Sequence, residues 1–281
     1  AGTKGQVLQS GGAAAANTWV DKPNKNIIIN GDFRINQRVY ISAATLATTV
    51  YGHDRWKAGA AGGDYSFTQL NSPTVITIAA GKTLIQVVED KNVYGGTYTL
   101  SWQGTAQGRY AINSATPAGA YADSPIAITG QTAGTTMSVE FDDGTLGEVQ
   151  LELGSAATAF EYRDYGTELA MCQRYYYRES LSDRLYGTGT SYSTTVAYII
   201  KQFPVQMRIA PSALEQAGTA ANYSVIAAGT PIQCSSVPTF TDASVYGCRM
   251  AFTTGATQTA GQAVHISTSN APTYLGWSAE L

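Results

Sequence analysis

Acid–base catalysis needs positioned side chains, and only two imidazoles, His53 and His265, are available for it in 281 residues. His53 stands in YGHDRW beside Asp54, where it fits a base or a ligand. The same position fits a polar residue entering a strand before Trp56, and that reading is preferred. His265 alternates with Val264 and Ile266, which places it on a sheet face. Asp142 and Asp143 form the most obvious carboxylate pair, as glycoside hydrolysis would need. They lie in FDDGT, however, where Asp-Gly signals a turn, and neighbouring strand residues point to opposite faces. The serine-nucleophile pattern GxSxG is absent. No catalytic set assembles, and the chain is expected not to be an enzyme.

Aromatic residues are the positive signal. The chain has 18 Tyr against 7 Phe, and tyrosine combines a flat apolar face with a hydroxyl. Such faces suit the C–H face of a sugar ring, while neutral polar neighbours exchange hydrogen bonds with its hydroxyls. Tyr186, Tyr192, Tyr223, Tyr246 and Tyr274 sit near Gly, Ser, Thr or Asn in loop-like contexts and are the candidate contact residues. Tyr65 and Tyr110 are lesser candidates nearer the N-terminus. Trp56, Trp102 and Trp277 alternate within β-type runs and are expected in cores.

Charged residues make up 13% of the chain, about half of the roughly 25% usual for soluble domains, and the net charge is −3. No Lys/Arg block exists to track a phosphate backbone or an anionic membrane, so nucleic acid is not an expected partner. No apolar run reaches the roughly 18 residues of a membrane span, and the opening AGTKGQVLQS lacks the regions of a signal peptide. Membrane insertion is not expected. Cys172, Cys234 and Cys248 are odd in number and lack CxxC spacing, so buried free thiols are expected. A Cys234–Cys248 pair stays open if their strands are neighbours.

These side chains need elements to position them. Residues 1–24, rich in Gly, Ala and polar residues, read as a stem or linker. From 25 to 165, short β-branched and aromatic runs alternate with turn clusters such as DKNVYGG, TAG and DDG, the pattern of an antiparallel sandwich. Residues 166–180 read as a connecting helix, with Thr167 as cap, Glu168 in the first turn, and Leu169, Cys172 and Tyr176 as an apolar stripe. That stripe must pack on sister chains or on the adjoining sheet, and YYY at 175–177 is a place for the helix to give way to a strand. From 181 to 281 the β pattern resumes in a second, smaller domain, with VAYIIKQF as a central strand. The expected fold is all-β: a jelly-roll β-sandwich, a short helix and a smaller β-sandwich tip.

GEVQLELGSAATAFEYRDYGTELAMCQRYYYR at 147–178, NIIINGDFRINQR at 26–38, FPVQMRIAP at 203–211 and the terminal LGWSAEL resemble segments of bacteriophage tail fibres and other receptor-binding tail proteins. NIIINGDF, TYTLSW and EVQLELG also resemble jelly-roll carbohydrate-binding modules, in which first and last strands lie side by side. The tail-fibre resemblance implies a homotrimer at the tail-fibre tip of a virion, in contact with other tail or baseplate proteins. Its function there would be to recognise a host surface polysaccharide or lipopolysaccharide during adsorption. It also implies that Trp19 anchors the stem, and that the chain, which begins without Met, is a piece of a longer one. The module resemblance implies a structural calcium ion near Asp32 and Glu152, although Arg34 stands where those modules commonly carry an acidic residue and is able to pair with Glu152 instead. No other cofactor is implied. The rival functions are a structural spacer without receptor binding and a glycan hydrolase or esterase.

Overall fold

A computed structural model describes residues 6–9, 16–21, 25–69, 71–180, 185–269 and 273–281, with the side chains of 6, 7, 9 and 18–21 outside that description. The anchoring role expected of Trp19 therefore lies outside the described side chains. Within the segment read as a stem, β1 (Gln6–Gln9) and β2 (Thr18–Asp21) pair antiparallel.

The chain divides into two compact units, residues 1–169 with 281, and residues 170–280. The first contains β3 (Lys57–Ala58), β4 (Tyr65–Ser66), β5 (Ile76–Ile78), β6 (Leu84–Val88) and β7 (Gly96–Gly104). It continues with β8 (Gly108–Ile112), β9 (Ile126–Gln131), β10 (Met137–Phe141) and β11 (Gly144–Leu153). They form two antiparallel sheets, ordered β3-β6-β10-β8 and β4-β5-β11-β7-β9, in a β-sandwich of jelly-roll type. Alternate side chains fill one core that includes Phe33, Trp56, Tyr98, Trp102, Phe141 and Leu151. Asp142 and Asp143 connect β10 of one sheet to β11 of the other, so the Asp-Gly signal marks a sheet-to-sheet corner rather than a hairpin.

The segment 26–33 was expected as a first strand. It does lie beside β11, with Ile27 N donating to Leu151 O at 2.9 Å and Val149 N to Gly31 O at 2.9 Å. It is not a regular strand, because Asn30 and Phe33 adopt positive φ of 60° and 54°. Gly31 is required there, since a Cβ would stand 2.1 Å from the Val149 carbonyl oxygen.

The two segments 26–34 and 161–168 meet in a buried polar joint. Arg163 Nη1 lies 3.1 Å from Glu168 Oε2 and donates to Ile28 O at 3.1 Å, while its Nη2 donates to Asn26 O. Glu161 accepts the Asn26 amide at 2.9 Å, Glu168 accepts the Asn30 amide, and Arg34 donates to Arg163 O. These bonds hold backbone that has no ladder of its own.

The helix is shorter than the 166–180 expected: α1 covers Tyr165–Gln173, starting before Thr167. Residues 176–180 are strand, as the tyrosine run allowed. The stripe is corrected with it. Cys172 is buried within one chain, and Tyr176, in a strand, donates its hydroxyl to Glu215 at 2.8 Å, so neither needs a sister chain to cover it.

The second unit contains β12 (Tyr176–Ser180), β13 (Leu185–Ser191), β14 (Val196–Gln202), β15 (Leu214–Ala217) and β16 (Tyr223–Ala227). It ends with β17 (Thr230–Gln233), β18 (Thr239–Thr241), β19 (Gly247–Thr253), β20 (Ala263–Thr268) and β21 (Tyr274–Ser278). A three-stranded sheet, β12-β21-β15, and a seven-stranded sheet, β17-β16-β20-β13-β14-β19-β18, share one core. Trp277 lies in it, stacked on Tyr177 at 5.6 Å between centroids. Cys172, Cys234 and Cys248 are all buried, and none of the three is in a disulfide, so Cys234 and Cys248 do not pair.

Candidate functional site

The period of two on the seven-stranded sheet decides which side chains meet solvent. In β14, Ala197 and Ile199 point into the core, which turns Val196, Tyr198 and Ile200 outward; in β19, Cys248, Met250 and Phe252 point in and Arg249 out. Cross-strand register sets Ile200 opposite Arg249 and Tyr198 opposite Ala251. A Cβ at Gly189 would stand 1.9 Å from the Tyr198 carbonyl oxygen, so β13 approaches β14 this closely because it carries glycine there.

The outward side chains form a row. Tyr192, 67% exposed, packs on Tyr198 with centroids 4.8 Å apart. Arg249 lies over the Tyr198 ring at 4.4 Å, with Nη2 2.6 Å from Asp242 Oδ2 and Nε donating to Thr241 Oγ1 at 3.2 Å. Beyond it, Ile200, Gln202, Asp242, Ser244, Tyr246 and Arg249 line a shallow cavity of about 370 Å³, and Tyr246 is 66% exposed. The seven residues of β14 span about 20 Å, at roughly 3.3 Å per residue. Thr188, Thr190, Thr239 and Thr241 are exposed on neighbouring strands. The row thus offers aromatic faces, one charge-balanced guanidinium and hydroxyls, which is chemistry for binding an uncharged polyhydroxylated molecule.

The five tyrosines singled out in the sequence part company. Tyr192 and Tyr246 belong to the row. Tyr223 is a correction: it is 0% exposed, because it alternates inward with Val225 and Ala227, and its hydroxyl donates to Ala217 O at 3.0 Å. Burial pushes that hydroxyl up to about 12. Tyr186 packs against the same core with its hydroxyl buried, and burial, with the Glu179 charge adding to it, raises its pKa far above the ordinary value. Tyr274 has one ring face covered by the Arg178 guanidinium at 3.6 Å. In the first unit Tyr65 is buried, and Tyr110 packs half-buried against the core. Trp56, Trp102 and Trp277 are core residues.

His265 is exposed on β20, on the sheet face its alternation predicts, and the other candidate acids, bases and ligands are engaged elsewhere. Tyr65 Oη accepts the His53 amide at 2.7 Å and lies 2.6 Å from His53 Nδ1, and burial pushes this imidazole down to about 3. Asp54 accepts the Gln37 amide at 3.0 Å and lies 3.4 Å from Arg38. Asp142 accepts the Gln107 amide at 2.6 Å, and Asp143 accepts the Gly81 amide at 3.3 Å. The proposed calcium pair is not assembled as a site. Asp32 lies 3.1 Å from Arg34 Nε, whereas Glu152 accepts from the Thr158 amide at 2.8 Å, the Thr158 hydroxyl at 2.7 Å and Gln150 at 2.9 Å. Among the described residues no three His, Cys, Asp or Glu side chains gather as a metal would require. Among them, too, no helix is long and apolar enough to cross a membrane.

No family model matches the chain, and no curated protein matches it. Solved structures similar to it include recombinant discoidin II of Dictyostelium discoideum, at 9% identity over 89% of this chain and 94% of that one, with a TM-score of 0.20. Wild-type discoidin II of the same organism has 10% identity over 98% of each chain and a TM-score of 0.20. A conserved protein of unknown function from Pseudomonas aeruginosa PAO1 has 12% identity over 79% of this chain and 96% of that one, with a TM-score of 0.15. At TM-scores this low, the likeness carries no argument about ligand or ancestry.

Proposed function

We propose that this chain is the receptor-binding part of a bacteriophage tail fibre, which adsorbs to host cells by holding a neutral surface glycan along the Tyr192–Tyr198–Arg249–Tyr246 row. The observation that carries the proposal is the pair of tyrosines, each about two-thirds exposed, at the ends of one row in which the Arg249 charge is balanced by Asp242. An exposed ring offers a sugar the apolar face it stacks on. The tail-fibre placement is supported by the sequence resemblance of segments 26–38, 147–178 and 203–211, two of which meet in the Arg163–Glu168 joint.

The working form is a homotrimer attached to other tail or baseplate proteins. Each site binds weakly, and several copies on one particle multiply avidity by about 10²–10⁴. Turnover is no part of the reading. The test is binding of the purified chain to host polysaccharide or lipopolysaccharide, with released reducing ends followed in the same samples. Saturable binding without release supports the proposal. Release of reducing ends would replace it with a hydrolase, and absence of binding across susceptible hosts with a structural spacer.

A further inference from the structure

A second concavity, which shares no lining residue with the cavity beside Tyr246, lies between the β16–β17 turn and the loop 255–262. Its volume is about 710 Å³, inside the roughly 300–1,000 Å³ range of small-molecule sites. Ala227, Pro231, Ile232, Gln233, Ala256 and Gln258 are among its lining residues, none of which is charged.

Both walls are fixed. Ala228 and Gly229 take positive φ of 49° and 79°, the backbone of a tight hairpin turn. The opposite loop is tied down by Gly255 N to Gln233 O at 2.9 Å, Gln258 N to Thr194 O at 2.7 Å and Gly261 N to Ser191 O at 2.7 Å. Gln258 is 6% exposed, and its Oε1 accepts from the Ser191 hydroxyl at 2.6 Å. Its Nε2 has no hydrogen-bond partner among the described residues. A buried amide donor left unpaired is a standing cost, which a ligand acceptor relieves.

We infer that this cavity is a separate saccharide-contact site that takes the acetamido group of a neutral N-acetylated sugar. The acetamido carbonyl accepts from Gln258 Nε2. Gln233 also lines the cavity, with its own amide donating to Ala221 O at 3.0 Å. The methyl group rests on Ala227 and Ile232. Charged ligands are disfavoured because no lining side chain balances them, and a sugar bearing only hydroxyls leaves the apolar wall without a partner.

The experiment is a titration of the isotope-labelled chain with N-acetylglucosamine, N-acetylgalactosamine and glucose, read from backbone amide NMR shifts. One or both acetamido sugars should move the amides of 227–233 and 255–262 at millimolar concentration, and glucose should not. Gln258→Met, which keeps the volume but removes the donor, should weaken binding at least about tenfold. Because Gln258 also holds Ser191, Ala256→Trp at an exposed lining position provides a second test: it should block the shifts while leaving the melting temperature unchanged. No shift with either acetamido sugar, equal affinity for glucose, or full binding by Ala256→Trp would overturn the inference. These shifts report on the cavity alone, and whole-glycan binding by Tyr246→Ala reports on the row, so either site can fail without the other.

Discussion

Arg249 lies over the Tyr198 ring, 4.4 Å from guanidinium carbon to ring centroid, and its charge is answered 2.6 Å away by Asp242. Each contact alone is small: about 0.5–1 kcal/mol for an exposed cation over a ring and about 0–1 kcal/mol for a surface ion pair. Together they hold a long side chain in one orientation between two tyrosines, so less ordering remains to be done when ligand arrives.

Replacing Tyr192 by Ala should therefore weaken binding to host glycan by about 1 kcal/mol per site, roughly fivefold, without lowering the melting temperature. Arg249→Lys keeps the charge but loses the planar stack and the fork, and should weaken binding similarly. Calorimetry on each variant checks this, and unchanged affinity in both would remove the row from the account.

Tyr223→Ala should behave differently. The side chain is fully buried, so its loss should destabilise the second unit by about 3–5 kcal/mol. Urea unfolding would show a midpoint shift, and a near-neutral result would contradict the core assignment.

The joint between segments 26–34 and 161–168 makes another prediction. Arg163→Ala leaves Glu168 buried without its partner and the Ile28 and Asn26 carbonyls without the Arg163 donor, which should cost about 3–5 kcal/mol, whereas Arg163→Met with Glu168→Leu removes the stranded charge but restores none of the backbone bonds and should recover only part of that loss. If the double variant is as stable as the native chain, these side-chain-to-backbone bonds are not what governs stability there.

Stability should also fall in mild acid. His53 is held neutral, with its pKa lowered from 6.5 to about 3, so between those values the unfolded chain binds a proton that the folded chain does not. The contribution is complete above pH 6.5 and declines as pH falls toward 3, by at most about 1.4 kcal/mol per pH unit. Asp32 works in the opposite sense: burial, partly offset by Arg34, raises its pKa, so the folded chain retains a proton the unfolded chain releases above 3.8. Unfolding free energy measured against pH should flatten in His53→Gln, and an unaltered slope would show that His53 is not the titrating group.

The alternation of β-type runs with turn clusters was enough to expect an all-β chain with a short helix, and Trp56, Trp102 and Trp277 were expected in cores, where they lie. For the tyrosines, neighbouring Gly and Ser are a poorer guide to exposure than the period of two. Read with that period, NYSVIAA turns Tyr223 inward, whereas VAYIIKQ and GCRMAFT turn Tyr198, Ile200 and Arg249 outward together. Their meeting on one face also depends on the β14–β19 register, a long-range pairing that no local pattern specifies. The Arg163–Glu168 joint was hidden for a similar reason. Its partners are backbone groups more than a hundred residues away, and Glu168 looked like an ordinary first-turn acid.

The most direct measurement is calorimetric binding of the purified chain to surface polysaccharide from susceptible hosts, beside a Tyr192→Ala/Tyr246→Ala variant of matched stability. Saturable binding by the native chain that is lost in the double variant, with no reducing ends released, is the predicted result. Equal binding by both proteins, or none by either, would contradict the row as the receptor-binding site.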